Sequence, residues 1–390
     1  MLQTVMLLAG VALLAALPAS AEDRRVASFN TVIGTQTFGV RYSFTKETTL
    51  VETARAIHSL GSNVLKISME KDYARQYPDL PANPAIRSLA DLARLEPSYR
   101  AVLAMPFSHI ILWTYPFSGG TAWVDGLSEE EREKTYREHY DLAAYLLRTF
   151  SGSGKAFYLG HWEGDWHLHA NYDPSKDPPE VALTGMADWL NARQKAIDDA
   201  RRDVPRKGVE VYGYTEVNLV QKAMKGGKTL TNDVLPRTNV DFVSYSSYDS
   251  LTADPATVGD RLKAALTYIE GRLPAKRGIE GRRVFIGEYG FPAQNHTPEK
   301  QAEMTRAVCR AALEWGCRFA LYWEIYCNEK PDGKHRGFWM IDDKGEKQPV
   351  YHLHARFYRE AKARVAAFLK EKGRLPTDSE FRAIGVELLR

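Results

Sequence analysis

Eight short apolar runs, each followed by a helical stretch or a helical loop, set the pattern of this chain. The runs are Val32–Gly39, Asn63–Met69, Tyr99–Phe107, Lys155–Trp162, Gly208–Tyr214, Val240–Tyr248, Arg282–Gly290 and Arg318–Tyr326. Helical patterning fills most of the gaps, over Lys46–Leu60, Glu129–Phe150, Val181–Arg202 and Ala256–Leu273. Thr297-Pro298 opens another helix ending near Trp315, with a cap residue followed by proline at the first turn. A last helix covers Tyr351 to Leu369. Near-continuous apolar strands alternating with helices predict a parallel sheet. Eight such units over roughly 250 residues or more predict closure into a (β/α)8 barrel, an α/β TIM barrel. No Pro/Ser/Gly-rich linker divides the chain, so residues 22–370 read as one barrel and residues 371–390 as an appended tail helix.

Residues Met1 to Ala21 carry no charged side chain. An apolar run, Val5 to Leu17, leads through Pro18 to Ala19-Ser20-Ala21, a small-residue cleavage site. This reads as a secretory signal peptide over 1–21, cut before Glu22, although its first residues lack Lys and Arg. The competing reading, a membrane anchor, needs a longer apolar run. The expected location is therefore secreted or periplasmic, with no stable membrane association after cleavage. A net charge of +3 is too balanced for a nucleic-acid partner, and no dense basic run is interleaved with aromatics. In an exported chain Cys309 could pair with Cys317, or all three thiols stay free; Cys317 and Cys327 flank one strand and sit too far apart.

Active sites of such barrels lie at the carboxyl ends of the strands. The fourth run ends in His161-Trp162-Glu163, the fifth in Tyr214-Thr215-Glu216, the seventh in Glu288-Tyr289-Gly290 and the eighth in Trp323-Glu324. A glutamate directly after an apolar strand is costly to bury unless it is paired or used. Glu163 and Glu288, after strands four and seven, would face each other across the mouth. Two opposed carboxylates can cleave a glycosidic bond, one attacking the anomeric carbon and the other donating a proton to the leaving oxygen. A nearby negative charge raises the pKa of the donor. Asp165 offers a competing acid or a sugar ligand, and Glu216 could raise the pKa of Glu163. Trp113, Tyr115, Trp123, Trp162 and Trp166 fall on loops of the same face, where rings could stack on sugars or simply pack. His109, placed after strand three, could bond a sugar hydroxyl or serve the structure.

Here the layout resembles the retaining β-glycosidases of glycoside hydrolase clan A, over roughly residues 30 to 360. "FIGEYGFP" is similar to that clan's nucleophile strand, which implies Glu288 as nucleophile. "YLGHWEGDW" is similar to its acid/base strand, which implies Glu163. "LGSNVLKISM" resembles the second strand, with Lys66 where an arginine usually braces the nucleophile. "VDFVSYSSYDS" resembles the sixth strand, whose tyrosine contacts the nucleophile; Tyr248 takes that role, with Tyr245 behind it. "ALYWEIY" resembles the eighth strand, whose tryptophan, here Trp323, floors the sugar subsite. Trp162 stands where the clan usually has an asparagine that bonds the sugar 2-hydroxyl, and His161 offers a substitute.

The expected activity is thus hydrolysis of a β-linked oligo- or polysaccharide with retention, needing no metal or organic cofactor. Two other readings stay open: a carbohydrate-binding barrel without turnover, and a metal hydrolase using His161, His167, His169 and Asp165.

Overall fold

The computed structural model describes residues 26, 29, 32–119, 122–169 and 173–390. The leader read over residues 1–21 lies outside them. Eight parallel strands close into one barrel in chain order. They are β1 (Ile33–Gln36), β2 (Val64–Met69), β3 (His109–Thr114), β4 (Ala156–Gly160), β5 (Glu210–Val217), β6 (Phe242–Ser246), β7 (Val284–Tyr289) and β8 (Ala320–Tyr322). The outward-facing strand residues pack on the surrounding helices, as Leu65, Ile67, Leu112 and Val243 do. The inward-facing ones fill the axis with rings, among them Tyr158, Tyr214, Phe242, Phe285 and Phe319. No helix among the described residues is long and apolar enough to cross a membrane. Cys309, Cys317 and Cys327 are buried free thiols. A helix over Asp378–Leu388 follows the last barrel helix and is capped by Thr377.

One strand differs from the sequence reading. Tyr99–Phe107 is not β3, because Pro97–Ala104 is a helix. Glu96 caps it by accepting from the Tyr99 backbone N–H at 2.8 Å, and Pro97 sits in its first turn. Tyr99, Val102 and Leu103 form its buried face, at helical rather than strand spacing. The true β3 begins at His109, where the apolar run "HIILWT" starts.

Strand β7 carries a bulge that aims the site. Its pairing with β6 steps from Tyr245↔Ile286 to Ser246↔Glu288, passing over Gly287. Its pairing with β8 steps from Ile286↔Ala320 to Tyr289↔Tyr322. Strict alternation from the inward-facing Phe285 would turn Glu288 out toward the helices. The extra residue turns it inward instead, the usual effect of a bulge. Gly287 makes this possible: a Cβ there would lie 1.7 Å from Ser244 Oγ and 3.0 Å from Glu216 Oε2. Gly287→Ala is therefore expected to cost about 1–3 kcal/mol or more, as overpacking does, seen as a lower urea midpoint, and to dislodge Glu288.

Candidate active site

Four strand ends deliver ionised or ionisable groups to one point. Lys66 from β2 is fully buried. Its Nζ donates to Glu216 Oε2 at 2.9 Å, to the Gly287 carbonyl at 3.1 Å and to Glu288 Oε1 at 3.2 Å. It also lies 4.9 Å from the centre of the Trp113 ring. Desolvation works to strip its proton, but Glu216 and Glu288 outweigh that and raise its pKa. The lysine is thus a point charge shared between two carboxylates. Removing it strands both. Lys66→Met should cost about 3–5 kcal/mol, the penalty for breaking a buried ion pair, measured by equilibrium unfolding at neutral pH.

Glu216, on β5, faces inward but is sealed from the cleft. It accepts from Lys66, from Ser244 Oγ at 2.6 Å and from the Glu163 backbone N–H at 3.0 Å. Its role is to hold the loop that presents Glu163 rather than to touch a sugar. Arg193, buried on the helix Glu180–Asp203, steadies the same loop from outside. It donates to the Thr114 carbonyl at 3.2 Å and the Gly160 carbonyl at 2.6 Å, tying the ends of β3 and β4.

Glu163 follows β4 at the start of a short helix, Gly164–Leu168. Its Oε1 accepts from Ser246 Oγ at 2.5 Å and its Oε2 from Trp166 Nε1 at 2.7 Å. Burial pushes its pKa up to about 7, with Glu216 adding to the rise and the Ser246 bond opposing it. Ser246 Oγ is also 3.5 Å from Glu288 Oε2. Burial raises the Glu288 pKa well above the carboxylate range, Lys66 opposes this, and the charges of Glu216 and Glu163 add to it. One hydroxyl meeting both carboxyl groups holds Glu163 Oε1 within about 6 Å of Glu288 Oε2.

Aromatic rings wall the mouth. Phe38 stacks on Trp113 at 3.8 Å and on Trp323 at 5.4 Å. Trp162 meets Trp113 edge-on at 6.5 Å. Tyr248 follows β6 and packs edge-on against Phe338 at 6.1 Å; burial and then the charges of Glu288 and Glu163 raise its hydroxyl pKa. Tyr245 faces the helices instead, bonded to Asp249 and Ser250. The rings of Phe38, Trp113, Trp162 and Trp323 also line a cavity of about 730 Å³ at the carboxyl end of the barrel.

Three residues read as sugar ligands are placed elsewhere. His109 opens β3 rather than following it, at the amino end of the barrel, level with Val64 and Ala156. It bonds the Tyr158 hydroxyl at 3.2 Å, and burial lowers its pKa to about 3. His161 is fully buried and turned toward Trp189. Its Nε2 meets Thr215 Oγ1 at 2.6 Å and its Nδ1 the Trp162 carbonyl at 3.0 Å, so neither nitrogen is left for a sugar. Asp165 accepts from the backbone N–H groups of Asn218, Leu219 and Leu230 at 2.9, 3.2 and 2.7 Å. It anchors loops and presents no oxygen to the cleft. Trp123 likewise packs against Trp189, with 5.8 Å between ring centres. His167 bonds the Tyr115 hydroxyl at 3.1 Å. With His161 and Asp165 committed in this way, the metal reading loses two of its four ligands, and no group of three or more metal-binding side chains occurs among the described residues.

No family model matches the chain, and a search of curated proteins finds no significant match. Solved structures do match. GH5_18 from Streptomyces cattleya, solved in complex with Manb1-4GlcNAc, superposes with a TM-score of 0.56 at 13% identity, over 85% of this chain and 81% of that one. A Bacteroides uniformis β-glucuronidase gives 0.51 at 11% identity, over 85% of this chain but only 35% of its own length. A family 39 glycoside hydrolase from Bacteroides cellulosilyticus WH2 gives 0.49 at 13% identity, over 87% and 64%. The matched proteins are glycosidases, and what this chain shares with them is the eight-stranded parallel barrel. At these identities the likeness is one of fold.

Ser246 and the β7 bulge escaped the sequence reading. A signal for Ser246 was present: in "FVSYS" the apolar Val243 and Tyr245 alternate with Ser244 and Ser246, so the serines had to face the axis.

Proposed function

We propose that this protein is an exported glycoside hydrolase that cleaves a β-linked glycan with retention, through Glu288 as nucleophile and Glu163 as acid and then base. The observation that carries the reading is the Ser246 hydroxyl, which meets one oxygen of each carboxyl group at 2.5 and 3.5 Å and so supports the close spacing of a double-displacement pair. Three buried carboxylates share one ammonium, so at neutral pH the cluster favours retaining a proton. Burial raises both carboxyls, but Lys66 is bonded to Glu216 and Glu288 and not to Glu163; that direct ammonium contact favours the ionised form of Glu288 against the rise burial gives it, and leaves the shared proton to Glu163. Glu288, braced by the ammonium, attacks the anomeric carbon while Glu163 protonates the departing oxygen. Glu163, now ionised, then draws a proton from water as that water attacks the glycosyl ester. Trp323 and Tyr248 floor and flank the sugar under attack. The charge-free apolar segment at the amino terminus supports export.

The test is the anomeric configuration of the first-formed product, followed by proton NMR on β-linked glycans before mutarotation. Retention supports the reading and inversion overturns it. Glycan binding without turnover on any substrate would instead favour a lectin-like barrel.

A further inference from the structure

Trp166, which closes the segment "YLGHWEGDW", is not accounted for by packing. It is partly exposed and joins neither of the two apolar clusters. Its ring meets no other ring among the described residues, whereas Trp113, Trp123, Trp162 and Trp323 each do. It does not line the aromatic cavity either. What it contacts is Glu163, twice. Its backbone N–H donates to the Glu163 carbonyl at 3.1 Å, and its indole Nε1–H donates to Glu163 Oε2 at 2.7 Å. The turn between the two residues is held from the other side. A Cβ on Gly164 would lie 2.4 Å from Leu230 Cδ1, and the Asp165 carboxylate is bonded to the backbone of Asn218, Leu219 and Leu230. Residues 164 and 165 are thereby pinned, and the indole comes back over the carboxyl. Glu163 Oε1 meets Ser246 Oγ, so each oxygen of the acid has its own donor.

We propose that Trp166 is a positioning residue that acts through Glu163: its indole N–H orients the carboxyl and stabilises the carboxylate left when the acid gives up its proton. The inference rests on the glycosidase reading above. As the glycosidic bond breaks, the Glu163 O–H bond breaks with it. The proton goes to the departing oxygen, and the electron pair stays on the carboxylate, which the indole holds by a charge-assisted bond. In the second step that carboxylate takes a proton from water. Hydrogen bonds to the charged form favour it. Burial, the largest influence on Glu163, works the other way, and Glu216 from β5 works with burial. Ser246 from β6 and Lys66 from β2 side with the indole. Glu288 from β7 and Tyr248 after β6 feel the charge of Glu163. On the acid's own turn, Asp165 is bonded to backbone and His167 to the Tyr115 hydroxyl. Without the indole N–H, Glu163 is a weaker acid that keeps its proton to higher pH.

The experiment uses the full chain, with β-1,4-gluco-, manno- and xylo-oligosaccharides and the dinitrophenyl β-glycosides of the same sugars. It compares wild type with Trp166→Phe, which keeps a ring and loses the N–H, and with Trp166→Ala. Both variants should move the alkaline limb of kcat/KM to higher pH by at least about 0.5 pH unit. Below the limb, cleavage of oligosaccharides should fall at least about fivefold, and that of the dinitrophenyl glycosides far less. A second measurement needs no Trp166 variant and decides the matter if those variants fail to fold. With isotope-labelled indoles, one Nε1–H resonance of the wild type should shift with pH at the midpoint of the limb, and Glu163→Gln should abolish the shift. A limb unmoved in Trp166→Phe, equal losses on both kinds of substrate, or no indole resonance that follows the limb overturns the inference while the glycosidase reading stands. A higher KM in Trp166→Ala with the limb in place makes the ring a sugar platform and overturns it too. No turnover of any probe by wild type overturns both.

Discussion

Glu288→Gly is expected to lower turnover by at least about 10³-fold, in line with the loss of a catalytic nucleophile. Sodium azide should restore part of it and give the glycosyl azide of opposite configuration. The reasoning is spatial. Glu288 reaches the axis only because β7 holds an extra residue, and its Oε1 is fixed by Lys66 at 3.2 Å. Truncation leaves a hole on the face of the sugar from which Glu288 attacks. A small anion can enter it and attack from that side, while Glu163 still supplies the proton. Glu288→Gln should be equally slow but poorly rescued, because the amide fills the hole. Gas-chromatographic or NMR assignment of the azide anomer reads the result. A Glu288→Gly protein as active as wild type would remove Glu288 from the chemistry.

Glu163→Ala should act differently. Cleavage of unactivated glycans should fall about 10²–10⁴-fold, the usual contribution of a general acid. Aryl glycosides with good leaving groups should lose far less in their first step, since they need little protonation. The pH profile carries the second half of this prediction. The protonated carboxyl is the active form, and burial places its pKa at about 7. For wild type, kcat/KM should therefore fall as pH rises through about 7, and Glu163→Ala should abolish that limb. The Ser246 hydroxyl donates to Glu163, which favours the ionised form. Ser246→Ala should accordingly move the limb to higher pH. The other charged groups facing Glu163 are Glu216 from β5, Lys66 from β2 and Glu288 from β7, and all remain in that variant.

The sequence made the barrel and its two glutamates legible for a simple reason. A parallel strand buried on both faces reads as an apolar run, and the first carboxylate after it marks the mouth. Glu163 and Glu288 were singled out by that rule, whereas Lys66 and Trp323 came from the family resemblance. What it could not provide was the direction of a side chain at a strand end. His161 and Asp165 stand two residues from the acid on either side, yet one turns into the helix layer and the other into the loop backbone. Glu288 itself faces the axis against the alternation of its strand, because of a bulge that needs a neighbouring strand to be seen. His109 was misplaced by a boundary. Taking the helix Pro97–Ala104 for a strand moved β3 by one element and carried the histidine to the wrong end of the barrel. Arg193 gave no sign at all, since a charged residue in a helix normally faces water and this one spans to two strand ends.

Retention through Glu288 requires a covalent bond between its carboxylate and the substrate sugar. Incubation with the 2-deoxy-2-fluoro glycoside of the cleaved sugar, bearing an activated leaving group, should stall the enzyme after its first step. Peptide mass spectrometry should then find one added sugar on Glu288 and none on Glu163, Glu216 or Asp165. A label on Glu163, Glu216 or Asp165, or full inactivation with Glu288 unlabelled, would contradict the account.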